Sequence, residues 1–92
     1  MSAHWDTIGY LISSKYRLAV IHRLANAPAT PTQIATDENL SPSHVSRAIQ
    51  RLADRSIVEL AVPETQRKNR LYELTPKGTT LWSEIRTAGL DR

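Results

Sequence analysis

The stretch SPSHVSRAIQRLADRS, residues 41–56, decides how this chain is read. Ser41 is a residue of N-cap type, and Pro42 follows at the first helical position, where its missing N–H costs nothing and its fixed φ suits the helix. The spacing predicts a helix over 42–55. Val45, Ala48, Ile49 and Leu52 fall on one stripe of it, while Ser43, His44, Ser46, Arg47, Gln50 and Arg51 fall largely on the other side. Short hydroxyls, an amide and two guanidiniums are groups that reach phosphates and base edges in a DNA major groove. The same pattern also describes the solvated face of an ordinary amphipathic helix, so the flanking sequence has to decide.

Upstream, Thr30-Pro31-Thr32-Gln33 reads as a second helix start, with Thr30 as N-cap, Pro31 at the first position and Gln33 placed to complete a capping box. That helix is short. It carries Ile34 and Ala35 inward and ends around residues 37–39, where Asn39 can take the left-handed conformation. A short helix, a tight turn and the helix at 42 make a helix-turn-helix. The segment 4–27 is also helical, interrupted at Ser13-Ser14, either of which can cap a new helix near Lys15. Val20, Ile21 and Leu24 form one stripe there. Leu11, Leu18 and Ala25 recur on a neighbouring face, more apolar surface than one small domain needs to cover.

Downstream the period changes. Ile57, Val58, Leu60 and Val62 read as a strand, residues 63–69 as a turn, and RLYELT, residues 70–75, as a second strand. The tip of this hairpin, residues 66–70, is polar and basic. Thr75-Pro76 then repeats the cap-and-proline start and opens a last helix through about Thr87, bearing Leu81, Trp82 and Ile85. Gly78 and two threonines weaken its first turns.

The chain has 92 residues, which predicts one domain over 1–92. Its formal charge is +3, and the block from Pro42 to Arg70 carries six basic residues against three acidic ones, so this block accounts for the whole excess. A localised positive field suits a polyanion. Cysteine is absent, which removes disulfides, thiolate metal sites and cysteine nucleophiles and agrees with a reducing compartment. With no apolar run of bilayer length and no signal pattern, a cytoplasmic protein is expected.

Three helices followed by a hairpin, with an amphipathic third helix and a basic tip, resemble the winged helix-turn-helix. The run IATDENLSPSHVSRAIQRLADRSIVEL, residues 34–60, resembles the helix-turn-helix of MarR-type and ArsR-type transcriptional regulators. RLYELTPKG, residues 70–78, looks like their second wing strand and following helix start. SKYRLAVIHRLA, residues 14–25, is similar to the first helix of small archaeal members. Two positions depart from the family pattern. Glu38-Asn39 stand where Leu-Gly is common, and Ser56 stands where glycine often follows the recognition helix, so Ser56 is expected to be strained or the helix end shifted.

The resemblance implies an α+β, mostly helical fold that binds double-stranded DNA, with the helix 42–55 in the major groove and the wing 57–75 on the backbone or in the minor groove. In that reading Ser43, His44, Ser46, Arg47, Gln50 and Arg51 face the DNA; Arg47 suits a guanine and Gln50 an adenine, and Ser41, Ser43 and Ser46 suit phosphates. Thr32 and Gln33 match family positions that touch the backbone. Arg67, Lys68 and Arg70 of the wing would lie along phosphates. Arg55 is assigned to the helix dipole and not to DNA.

Trp5, Ile8, Leu11, Trp82, Ile85 and Leu90 are expected outside a monomer's core, which predicts a homodimer through the first and last helices. An interface lined by Trp5, Tyr10, Tyr16 and Trp82 could leave room for a small-molecule effector, which no motif supports. Enzyme chemistry has no constellation behind it. His4, His22 and His44 lie on separate segments, and neither a metal-ligand spacing nor a phosphate loop is present, so no metal or cofactor is expected. The competing readings are a winged-helix protein interaction module and a non-specific architectural DNA binder.

Overall fold

Helix starts organise this chain, and three of them are capped as their sequences predict. The computed structural model describes residues 3–61 and 70–91. Within them lie α1 (Ala3–Ile12), α2 (Lys15–Asn26), α3 (Pro31–Glu38), α4 (Pro42–Asp54), β1 (Val58–Leu60), β2 (Tyr72–Leu74) and α5 (Pro76–Thr87). Ser14 caps α2 by accepting from the Arg17 N–H. Thr30 and Gln33 close a complete capping box on α3, with the Thr30 N–H donating to Gln33 Oε1 at 2.9 Å and the Gln33 N–H donating to Thr30 Oγ1 at 3.2 Å. Thr75 caps α5 through the Gly78 N–H at 3.0 Å.

The fourth start differs. Ser41 occupies the N-cap position of α4 in extended backbone, yet its hydroxyl makes no cap. It pairs instead with the Ser43 hydroxyl at 3.0 Å, a partner two residues away that competes with the backbone N–H. Pro42 therefore carries the start through its fixed φ. At the other end α4 stops at Asp54 with Arg55 as its C-cap, one residue short of the predicted span. Asn39 and Ser56 both have positive φ, 55° and 61°. Asn39 ends α3, and the Leu40 N–H then donates to the Ala35 carbonyl at 2.8 Å, turning the chain tightly into α4. Ser56 carries the strain foreseen for a residue with a Cβ at that point.

The core is a single cluster. α2 contributes Val20, Ile21 and Leu24, α3 contributes Ile34 and Ala35, and α4 contributes Val45, Ala48, Ile49 and Leu52. Ile57, Val58 and Leu81 complete it. Ile8, Leu11 and Ile85 belong to the same cluster, each 1% exposed or less, which corrects the expectation that they need a partner chain. For Ile8 and Leu11 the reason is the break at Ser13-Ser14. It lets α1 fold back on α2, where Arg17 Nε donates to the Tyr10 carbonyl at 2.9 Å, so the Ile8–Leu11 stripe faces inward. Trp82 and Leu90 pack against the cluster while remaining partly exposed, and Trp5 is 53% exposed.

β1 and β2 pair antiparallel with Val58 opposite Leu74 and Leu60 opposite Tyr72. Both strands are shorter than the sequence suggests, and Val62 and the turn 63–69 lie outside the described residues. One further pairing was not foreseen. Ala29 bridges Tyr72 through two hydrogen bonds of 3.0 and 2.9 Å, so β2 is bonded on both edges and the segment entering α3 is tied to the hairpin. The result is a winged helix.

One knot joins α4, the hairpin and α5. The Thr75 N–H donates to the Ile57 carbonyl at 3.0 Å, and the Thr75 hydroxyl lies 2.7 Å from the Ser56 carbonyl and 3.2 Å from that of Ile57. A Cβ on Gly78 would run into the same Ile57 carbonyl oxygen. Gly78→Ala is therefore expected to destabilise by about 1–3 kcal/mol, because overpacking against backbone outweighs the ~1 kcal/mol by which alanine favours a helix. Ser56→Gly is expected to stabilise by about 0.5–1 kcal/mol, the relieved left-handed strain less the flexibility that glycine adds to the unfolded chain. Urea midpoints at unchanged slope measure both. A stabilising Gly78→Ala or a destabilising Ser56→Gly would contradict this account.

Candidate nucleic-acid interface

The moment that drives α4 into the core leaves its other side in solvent. Val45, Ala48, Ile49 and Leu52 are buried, whereas Ser43, His44, Ser46, Arg47, Gln50 and Arg51 are all exposed. Because the Ser41 hydroxyl is turned to Ser43, the first turn of α4 presents its N–H groups without a side-chain cap. Such a turn favours an anion. Among the described residues, the Arg47 and Arg51 side chains make neither an ion pair nor a hydrogen bond. They stand four apart on the helix, a like-charge pair that costs a few tenths of a kcal/mol unless an anion offsets it.

The remaining predicted positions are distributed around α4. Ser41 is exposed at its entrance, and Thr32 and Gln33 are exposed in the first turn of α3. Gln33 is partly committed, since its side-chain oxygen holds the Thr30 N–H and leaves the amide NH2 to offer. Arg70 is exposed just before β2. Arg67 and Lys68 lie outside the described residues.

Stacked cations connect the helices around this face. The Arg17 and Arg55 guanidiniums sit 3.9 and 3.7 Å from the Tyr10 ring centroid. Two guanidiniums so near one centroid fit only on opposite faces of the ring, which makes a sandwich joining α1, α2 and the end of α4. Arg55 is thus held within the fold. The Tyr16 ring stacks on His44 at 4.4 Å with an interplanar angle of 21°. Beside that stack a cleft of about 220 Å³ opens between the start of α2 and the flank of α4, lined by Ser14, Tyr16, Arg17, His44, Arg47, Ala48 and Arg51. Sequence reasoning singled out neither Arg17 nor this cleft, because its two walls come from segments some thirty residues apart.

A larger groove, about 740 Å³, lies between α2, the end of α3 and α5. Two side-chain pairs cross it between α2 and α3: Arg23 Nε meets Asp37 Oδ2 at 2.7 Å, and His22 Nδ1 meets Glu38 Oε2 at 2.9 Å. Trp82 closes edge-on to the His22 ring at 5.7 Å. Among the described residues no three histidine, aspartate or glutamate side chains converge as a metal requires. Among them, too, no helix is long and apolar enough to cross a membrane.

A family profile described as the HVO_A0261 N-terminal domain matches residues 5–89. No curated protein matches the chain. Among solved structures, a MarR family regulator from Neisseria meningitidis, NMB1585, superposes with a TM-score of 0.75 at 25% identity, over 91% of this chain and 60% of that one. BpsR of Bordetella bronchiseptica superposes with a TM-score of 0.75 at 19% identity, over 83% of this chain and 58% of that one. For Lactococcus lactis ZitR, in its C30AH42A mutant, the TM-score is 0.71 at 23% identity, over 80% of this chain and 51% of that one. The chain thus spans between about half and three-fifths of the length of these proteins. They share its winged-helix fold.

The sandwich makes a prediction about Arg55. In a double-mutant cycle of Arg55→Ala and Tyr10→Leu, read by urea unfolding, a coupling of about 0.5–1 kcal/mol is expected. Zero coupling would return Arg55 to the free cations available to a ligand.

Proposed function

The chain belongs to the HVO_A0261 N-terminal domain family, and from that premise we propose that it is a sequence-specific, double-stranded DNA-binding transcriptional regulator. The observation that carries the reading is the outward face of α4, where Arg47 and Arg51 stand exposed among hydroxyls and an amide, without counter-charges among the described residues. α4 enters the major groove. Arg47 makes a bidentate contact to a guanine, Gln50 reads an adenine, and Ser41, Ser43 and Ser46 fix the register on phosphates. His44 supplies a polar contact from its stack on Tyr16. Thr32 and the free amide of Gln33 meet the backbone from α3, and Arg70, with Arg67 and Lys68, follows it from the wing. The named likeness agrees with this. NMB1585 is a MarR family regulator, and the DNA binding of BpsR is regulated by 6-hydroxynicotinic acid.

The regulator acts as a homodimer in the cytoplasm. Trp5, together with the exposed Ile12 of α1 and the partly exposed Trp82 and Leu90, is what a second copy would cover. A two-fold dimer sets two α4 helices about 34 Å apart, in successive major grooves of a palindromic site.

Selection from a mixed pool of short duplexes across a salt series tests the reading. Enrichment of a palindrome with a steep salt slope is expected. Retention without enrichment would make the protein an architectural binder, and no retention at low salt would make it a protein interaction module. On the enriched duplex, Arg47→Ala is expected to lower affinity by about 1–3 kcal/mol and relax preference at one base position. Preference left intact would remove Arg47 from the reading face. Sedimentation at micromolar concentration is expected to give a dimer, and a monomer there would overturn that part of the proposal.

A further inference from the structure

The cleft between the start of α2 and the flank of α4 has the makings of a binding site of its own, and we propose that it seats a phosphate of the DNA backbone, held by Arg51 of α4 and Arg17 of α2. The inference rests on reading α4 as the helix that enters the groove. It adds an element, α2, to the DNA-binding surface.

Three observations carry it. First, no acidic side chain lines the cleft, while three arginines do: Arg17, Arg47 and Arg51. Several cations elsewhere among the described residues are engaged by the protein. Arg23 is paired with Asp37 at 2.7 Å, Lys77 donates to the Arg55 carbonyl at 3.0 Å, and Arg55 lies on the Tyr10 ring. Arg47 and Arg51 have no such partner among the described residues. Concentrating like charges in one concave place costs electrostatic energy that a phosphate would offset.

Second, Arg17 is ordered in advance. Its Nε donates to the Tyr10 carbonyl at 2.9 Å, its Nη2 lies 3.1 Å from Ser13 Oγ, and its plane stacks on Tyr10. A guanidinium with five N–H donors keeps several for a ligand after these contacts, and one already fixed loses little freedom on binding. The Tyr16–His44 stack braces the adjoining wall.

Third, the cleft is where a backbone would run. Residues 44 and 51 are two turns apart on one flank of α4, turned toward α2 and away from the outermost positions 43, 47 and 50. A helix about 10–12 Å across in a groove about 12 Å wide has a sugar-phosphate strand along its flank. Arg47, between the two faces, points to a base from the rim of the cleft, and Arg51 and Arg17 close on non-bridging phosphate oxygens behind it. Arg51 accordingly positions the protein and carries no sequence information.

The test uses the full chain and the duplex enriched from the pool. Arg51→Gln is expected to lower the slope of log affinity against log salt by about one, the signature of a single lost phosphate contact, while leaving base preference unchanged. Arg17 also supports the fold, so its contribution is read from the DNA side. Duplexes carrying one neutral methylphosphonate at successive positions beside the site should include one that weakens the wild type and has no further effect on Arg51→Gln.

An unchanged slope in Arg51→Gln, with Arg47→Ala still relaxing base preference, would overturn the cleft and leave the recognition helix standing. A changed base preference in Arg51→Gln would assign Arg51 to a base and also overturn the proposal. Loss of salt-dependent DNA binding by the wild type would remove both readings. The phosphate could also come from solution. Inorganic phosphate at constant ionic strength that raises the melting temperature of the wild type but not of Arg51→Gln, with equal DNA slopes, would make this a free-anion site and overturn the DNA assignment.

Discussion

The Ile57 carbonyl accepts the backbone N–H of Thr75 and lies within reach of its hydroxyl, and the surface that α4 presents depends on this junction. Thr75 is buried, so its polar atoms must be satisfied inside the protein. It satisfies them by capping α5 on one side and bonding the chain that leaves α4 on the other. The same carbonyl excludes a side chain at residue 78, which brings the first turn of α5 against the root of β1. α4, the hairpin and α5 are thereby set at fixed angles by one carbonyl, one hydroxyl and one missing methyl.

Much of this was legible because helix starts are local events. Serine or threonine at the N-cap position, followed by proline at α3, α4 and α5, marks a start, and the expected positions of α2, α3, α4 and α5 agree with the structure. What lay beyond reach was competition and return. Ser41 had the right type for a cap, but nothing local shows that the Ser43 hydroxyl would win it. Periodicity assigned Ile8, Leu11 and Ile85 to apolar faces without saying which neighbour would come to cover them. For Ile8 and Leu11 covering came from the chain's own α1–α2 fold-back, and α5 packs Ile85 into the same cluster. The Ala29 bridge is a single residue long, too short to leave a period in the sequence.

The candidate site divides along the same line. Exposure of Ser43, His44, Ser46, Arg47, Gln50 and Arg51 followed from the burial of their opposite stripe, because a helix has only one inward face. Which of these groups remain available could not follow from type alone. Gln33 spends its carbonyl on a cap, and His44 spends a ring face on Tyr16. Arg55 shows the contrast most clearly. In the sequence it differs little from Arg51, one turn earlier, yet it lies on Tyr10 while Arg51 opens into the cleft.

The pair of hydrogen bonds between Ala29 and Tyr72 has a consequence for the order of folding and for cooperativity. The three helices from α2 to α4 make contacts close in sequence, which form early at small entropic expense. The bridge closes a long loop that contains α3, α4 and β1, and has to wait until the bundle exists. Once made, it joins the approach to α3 and the central strand of the wing in one unfolding unit, so the two amides should show common hydrogen-exchange protection. The base of the wing and the entry to the helix-turn-helix then melt as one body.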